Sequence, residues 1–163
     1  MANLKVGVIG CGGRGQAHML GYSQSDRVEM TACCDIHRPA AEAVAERFGF
    51  RNVYTDYRQM LAEETLDVVS VCLWTGLHCE AVLACIEAPN PPRLINAEKP
   101  MAPTYGEAVR MHRAAAASGI RMTFSHQRRF GTQFQKAREL LKSGEVGDLR
   151  RLEGYCSNLF DWG

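Results

Sequence analysis

The sequence predicts an α/β protein built on a doubly wound parallel sheet, and three observations carry that reading. Residues 4–15, LKVGVIGCGGRG, place strand formers directly before a glycine turn. Residues 66–73, LDVVSVCL, form a nearly continuous apolar run, as expected of a strand covered on both faces. Strand-like and helix-like segments then alternate along most of the 163 residues, the pattern of consecutive βαβ units.

In chain order, Val6, Val8 and Ile9 belong to the first strand, and a helix is expected from Arg14 onward. Gly10, Gly12 and Gly15 fit G-x-G-x-x-G. In that pattern the first glycine makes the turn, the second lets a pyrophosphate approach the backbone, and the third lets helix and strand pack closely. The helix start adds free N–H groups and the positive end of its dipole. Gly13 and Arg14 share this turn, with Arg14 either near the phosphates or simply solvated. A second apolar run, Val28–Cys34, ends at Asp35, 20 residues past Gly15. A carboxylate there accepts hydrogen bonds from an adenosine ribose and repels a 2′-phosphate, which favours NAD over NADP. The alternative is that Asp35 only caps the strand end. Arg38, three residues on, is placed to stack on adenine.

The next helix has Pro39 in its first turn, Ala40, Val44 and Phe48 on one face and Gly49 as its stop. A short extended piece near Val53 leads to Asp56, whose spacing to Gln59 suits an N-cap with a reciprocal partner before a brief helix, Tyr57–Glu63. After the apolar strand at 66–73 comes a helix over 77–87, with Leu77, Ala81 and Cys85 on one side, ended by the Pro89-Asn90-Pro91-Pro92 cluster. A strand at 93–97 follows. Thr104 and Glu107 then form a capping box, Gly119 closes that helix, and the sixth strand is expected at 120–124. From Ser125 the rhythm changes. Thr132 and Gln135 open a capped helix with Phe134, Ala137 and Leu141 on its apolar face, Gly144 ends it, and 149–156 reads as a strand. The expected organisation is therefore a dinucleotide-binding domain over 1–124 and the beginning of a second, incomplete domain over 125–163.

Composition narrows the function. Lys and Arg number 19 against 18 Asp and Glu, a net charge of +1, so charge makes no case for nucleic acid or an anionic membrane as partner. No apolar run reaches the length of a spanning helix, no signal-peptide layout opens the chain, and a soluble, cytoplasmic protein is expected. The seven cysteines include no C-x-x-C pair and no metal site is expected; they read as reduced, buried residues. Cys11, inside the glycine turn, is either packing or an oxidant sensor.

The opening GVIGCGGRGQAH, Asp35, the Thr75-Gly76-Leu77-His78 turn and above all Glu98-Lys99-Pro100 resemble the Gfo/Idh/MocA family of NAD(P)-dependent oxidoreductases, over the whole chain. The resemblance implies a Rossmann domain followed by an α/β domain with a mainly antiparallel sheet that carries substrate and oligomer contacts. It implies NAD as cofactor, a sugar, inositol or similar polyol as substrate, and a possible homo-oligomer formed through the second domain. Lys99, just past the fifth strand, then exchanges a proton with the reacting oxygen as hydride moves, with Pro100 holding its backbone extended. Glu98 and Lys99 are placed against the cofactor, Thr75 near the nicotinamide ribose, and His78 either near the nicotinamide or only at a helix start. Where the family carries a proline and a polar residue before that histidine, this chain has Gly76 and Leu77. His126, Arg128, Arg129 and Phe130 resemble the basic segment leading into the second domain, where they touch substrate or form salt bridges at the junction. Asp161-Trp162-Gly163 resembles the start of a D-x-G-x-H signature, making Asp161 a second catalytic or substrate-contacting residue.

The chain reads either as a portion of a longer enzyme or as a naturally short relative. Three functions fit: a polyol or sugar dehydrogenase, an NAD-dependent glycoside hydrolase using transient C3 oxidation, and a non-enzymatic dinucleotide-binding module.

Overall fold

The computed structural model describes residues 3–155. It divides into a unit ending at Ser125 and a second beginning at His126. The first unit holds six strands, β1 (Leu4–Ile9), β2 (Val28–Cys34), β3 (Asn52–Tyr54), β4 (Val68–Val71), β5 (Leu94–Ala97) and β6 (Arg121–Phe124). All are parallel, in the order β3-β2-β1-β4-β5-β6. That is the strand order of a dinucleotide-binding doubly wound sheet.

Five helices connect the strands: α1 (Gly13–Ser23), α2 (Arg38–Phe48), α3 (Tyr57–Glu63), α4 (His78–Ile86) and α5 (Tyr105–Ser118). They form two apolar layers. On one face Val6, Val8 and Met30 pack with Met19 of α1 and Ala41 and Val44 of α2. On the other, Ile9, Val69, Val71 and Ile95 pack with Met60 of α3, Val82 and Cys85 of α4 and Met111 of α5. Val6, Val8, Val69 and Val71 are completely buried, each worth about 1.5–3 kcal/mol relative to exposure. β1 and β4 are therefore covered on both faces, which is why their sequences read as continuous apolar runs.

Helix ends follow local chemistry. Gly49 and Gly119 close α2 and α5 in the left-handed region, at φ 75° and 71°. Thr104 caps α5: its Oγ1 accepts from the Glu107 N–H at 3.3 Å and donates to Glu107 Oε2 at 2.7 Å. Asp56 caps α3 by accepting from the Arg58 N–H, but Gln59 does not reciprocate. Its amide instead donates to Glu63 Oε1 one turn on, at 2.8 Å. The segment expected to open one helix at Leu77 forms a separate 3-10 turn, Thr75–Leu77, and Leu77 is 46% exposed while Ala81 and Cys85 are buried.

In the second unit a 3-10 turn, Gln127–Phe130, precedes α6 (Thr132–Ser143). Gly131 rather than Thr132 is the N-cap, so no hydroxyl caps this helix, and the Gln135 amide donates to the Phe130 carbonyl instead. Gly144 ends α6 at φ 79°. Residues 149–155 form no strand; within the described residues no partner ladder is present for them to join.

Candidate functional site

Because all six strands run the same way, their carboxyl ends share one edge. Adjacent strands β1 and β4 mark the point where the chain leaves for opposite sides of the sheet, the crevice in which such folds bind ligands. Each strand end is carried one residue further by a backbone bond: Gly10 N–H to Cys34 O, Cys72 N–H to Ile9 O, and Glu98 N–H to Val71 O, at 2.8, 2.8 and 2.9 Å.

The three motif glycines have three different environments. Gly10 has φ 95°, and a Cβ there would lie 2.4 Å from the Cys72 carbonyl oxygen. A Cβ on Gly15 would lie 1.9 Å from the Gly10 carbonyl oxygen, so only glycine lets α1 approach the turn this closely. Gly12 is the reverse case, with nothing within 4 Å of the position a Cβ would take. It is the extended N-cap of α1 and carries no side-chain cap, leaving that helix end open. A tight first and third glycine around an open second one is the cradle a pyrophosphate requires. Gly13 and the exposed Arg14 are the first two residues of α1.

Asp35 follows β2 and is half-buried. Its Oδ2 accepts from the Cys11 N–H at 2.8 Å and its Oδ1 from the His37 N–H at 2.9 Å. The carboxylate thus ties the glycine turn to the β2–α2 turn. Beside it, Ile36 is 93% exposed, a large apolar side chain that sequence reasoning passed over. Arg38 is exposed and pairs with Glu42 one turn along α2, at 3.3 Å. Cys11 is buried within the turn, and its thiol is pushed up by the hydrogen bond with Cys33 and by burial. Burial pushes Cys34 and Cys72 up to about 12, so these thiols pack rather than react.

On the β4–β5 side, Thr75 is half-buried at the start of the 3-10 turn, and the preceding Trp74 is 86% exposed. His78 is fully buried. Its Nε2 lies 3.0 Å from the Leu73 carbonyl oxygen, and its Nδ1 lies 2.9 Å and 3.3 Å from the carbonyl oxygens of Pro100 and Met101. The ring therefore lies between the turn after β4 and the turn after β5, and in its neutral form donates to the backbone of one of them. The Lys99-Pro100 peptide is cis, Lys99 is exposed, and Glu98 is 5% exposed.

Sequence reasoning missed the polar cluster beneath this edge. His18, on α1, places Nδ1 at 3.0 Å from Ser70 Oγ and Nε2 at 3.2 Å from Glu98 Oε1 and 3.1 Å from Ser125 Oγ. Tyr22 OH lies 2.8 Å from Ser70 Oγ. The signal was Ser70, a lone hydroxyl in an otherwise apolar strand, since a polar side chain buried on both faces must find a partner.

In the second unit Arg129 and Phe130 line an open groove with Arg138 and Lys142. Asp161 lies outside the described residues.

Residues 4–126 match the family model described as the Gfo/Idh/MocA oxidoreductase family, NAD-binding Rossmann fold. The chain belongs to this family. It is 32% identical over 147 residues to the D-glucoside 3-dehydrogenase of Escherichia coli K12, covering 90% of this chain and 41% of that enzyme. It is 26% identical over 144 residues to the myo-inositol 2-dehydrogenase of Thermotoga maritima, covering 88% and 42%. Among solved structures, a Chromobacterium violaceum WlbA dehydrogenase in complex with NADH and UDP-GlcNAcA superposes with a TM-score of 0.82 at 26% identity, over 90% of this chain and 42% of that one. The chain thus spans about two fifths of the length of these family members and carries their NAD-binding oxidoreductase domain. No helix among the described residues is long and apolar enough to cross a membrane.

Proposed function

We propose that the protein interconverts an alcohol and a ketone on a sugar, inositol or similar polyol, moving hydride to or from NAD, with Lys99 as proton donor or acceptor. The observation that carries this reading is the setting of Lys99: an exposed amine at the end of β5, flanked by a buried Glu98 and by the two carbonyls that face His78. The names of the inositol and glucoside dehydrogenases among its relatives support the substrate class.

When bound, NAD supplies the hydride acceptor. The chain's own residues do the rest. The open face at Gly12 and the N-terminus of α1 receive the pyrophosphate, with Gly13 and Arg14 beside it. Asp35 takes the adenosine ribose and disfavours a 2′-phosphate; Ile36 and Arg38 border the adenine. Thr75 faces the nicotinamide ribose, His78 positions the turn that carries Lys99, and the Lys99 amine takes or returns the hydroxyl proton. Residues 125–163 then belong to a substrate domain built on a mainly antiparallel sheet, through which the protein forms homo-oligomers, with Asp161 contacting substrate.

Lys99→Ala tests the assignment. NAD affinity should stay nearly intact while turnover of myo-inositol or a methyl glucoside falls by about 10²-fold or more. A variant as active as the parent overturns it. Accumulation of NADH with substrate, rather than glycoside cleavage without it, separates this reading from a transient-oxidation hydrolase.

A further inference from the structure

We infer that His18 is a positioning residue for Lys99, acting through Glu98, and that it couples the approach of helix α1 to the placement of the lysine; this rests on the proposed role of Lys99. Glu98 and Lys99 are consecutive, so whatever fixes the Glu98 side chain limits where the next residue's amine can go. One bond does so: the Glu98 carboxylate meets His18 Nε2 at 3.2 Å. The backbone on either side of Lys99 has its own neighbours, the Glu98 N–H bonding Val71 O at 2.9 Å and the Pro100 carbonyl oxygen lying 2.9 Å from His78 Nδ1. Lys99 is thus an exposed residue that directly follows a buried, anchored one.

A carboxylate accepts, so His18 Nε2 donates to Glu98, with Ser125 Oγ close to the same N–H. In the neutral ring Nδ1 is then an acceptor, filled by the Ser70 hydroxyl, and Ser70 in turn accepts from Tyr22 OH. With Glu98 buried, loss of the His18 N–H would leave a carboxylate oxygen facing away from water without its donor, and the side chain would turn to find another.

His18 lies one turn beyond Gly15, whose close packing on the Gly10 carbonyl sets the distance between α1 and the sheet. The glycine that shapes the phosphate cradle therefore also sets the reach of His18 to Glu98. The two amide replacements divide the ring's bonds: glutamine places a donor near Nε2, toward Glu98, whereas asparagine reaches only the position of Nδ1, toward Ser70.

The test uses the full chain and NAD alone. Its four lysines, Lys5, Lys99, Lys136 and Lys142, are labelled by reductive ¹³C-dimethylation, and the Lys99 resonance is assigned by its loss in Lys99→Arg. In the parent, NAD should move the Lys99 resonance. In His18→Asn that shift should shrink about threefold or more, with NAD affinity within about threefold of the parent, and His18→Gln should restore it. If His18→Asn does not fold, His18→Ala takes its place, removing the N–H donor to Glu98, and should shrink the shift equally. A merely structural histidine would lower the melting temperature in both amide variants alike and leave the NAD-induced shift unchanged. That result, or equal shifts in His18→Asn and His18→Gln, overturns this inference alone. A parent in which NAD leaves the Lys99 resonance unmoved overturns the placement of Lys99 as well.

Discussion

Replacing Gly12 and Gly15 in turn by alanine separates cofactor recognition from folding within a span of three residues. At Gly15 the new Cβ would sit 1.9 Å from the Gly10 carbonyl oxygen, where contacts under 3.0 Å are essentially never seen. Helix α1 must retreat by at least 1.1 Å (3.0 − 1.9) or the turn must deform, because the atom it meets is backbone and has no rotamer to escape into. Overpacking of this kind costs about 1–3 kcal/mol, and for a chain of this size each kcal/mol is worth about 2–4 °C in melting temperature. Gly15→Ala should therefore melt about 2–12 °C lower than the parent and bind NAD more weakly. At Gly12 the Cβ meets nothing within 4 Å, and the backbone, at φ −68° and ψ −173°, is extended and open to any residue. Gly12→Ala should melt within about 1 °C of the parent yet lose about tenfold or more in NAD affinity, because the methyl fills the space reserved for the pyrophosphate. Thermal unfolding without cofactor and isothermal calorimetry with NAD are the two measurements. A Gly12→Ala protein that binds NAD as tightly as the parent, or that melts as low as Gly15→Ala, refutes the division of labour.

Asp35→Ser should weaken NAD and narrow the gap between NAD and NADP, measured by calorimetry with both; part of the loss comes from the Cys11 and His37 N–H groups, whose charged acceptor is removed. The buried thiols set an alkaline limit. Cys34 and Cys85 are pushed up to about 12 by burial, so below the ordinary thiol value near 9 both states hold the proton and stability is flat. Between that value and about 12 only the unfolded chain releases it, and stability falls by about 1.4 kcal/mol per pH unit per thiol. Urea titrations across that range check the slope. Thr104→Ala removes both capping bonds of α5 and should cost about 1 kcal/mol, or about 2–4 °C in melting temperature, with NAD affinity unchanged.

Much of the fold is legible in the sequence because its determinants are local. Gly49, Gly119 and Gly144 stop helices where only glycine adopts the left-handed turn easily, and the run 28–34 is bounded by polar residues on both sides. The errors arise where two local solutions compete. Gln59 has a choice between the Asp56 backbone and Glu63, and it takes the partner on its own helix face. At the start of α6, Gly131 supplies the extended backbone of an N-cap, so Thr132 falls one position inside the helix. The site divides in the same way. The glycine turn, Asp35 and the Lys99 turn each follow a strand and can be found in short windows. His18 cannot, since nothing within several residues distinguishes it from any histidine on a helix. Only the lone Ser70 of β4, a hydroxyl with no neighbour in sequence able to satisfy it, pointed toward a partner elsewhere.

The same cluster has a consequence for the order in which the molecule assembles. The bonds of His18 to Ser70, Glu98 and Ser125 span 52, 80 and 107 residues of chain. β1, β2 and β3, with their helices, can meet using the first 54 residues, and with them the turn that Asp35 secures. The ring's partners arrive only as β4, β5 and the end of β6 join, each closing a longer loop than the last. By loop length, the turn that Asp35 secures closes at lower entropic cost than the contacts of His18. A sheet that stops short of β6 leaves the part-buried His18 ring with an incomplete set of partners, so the cluster is satisfied only when the whole sheet, rather than its first half alone, is complete.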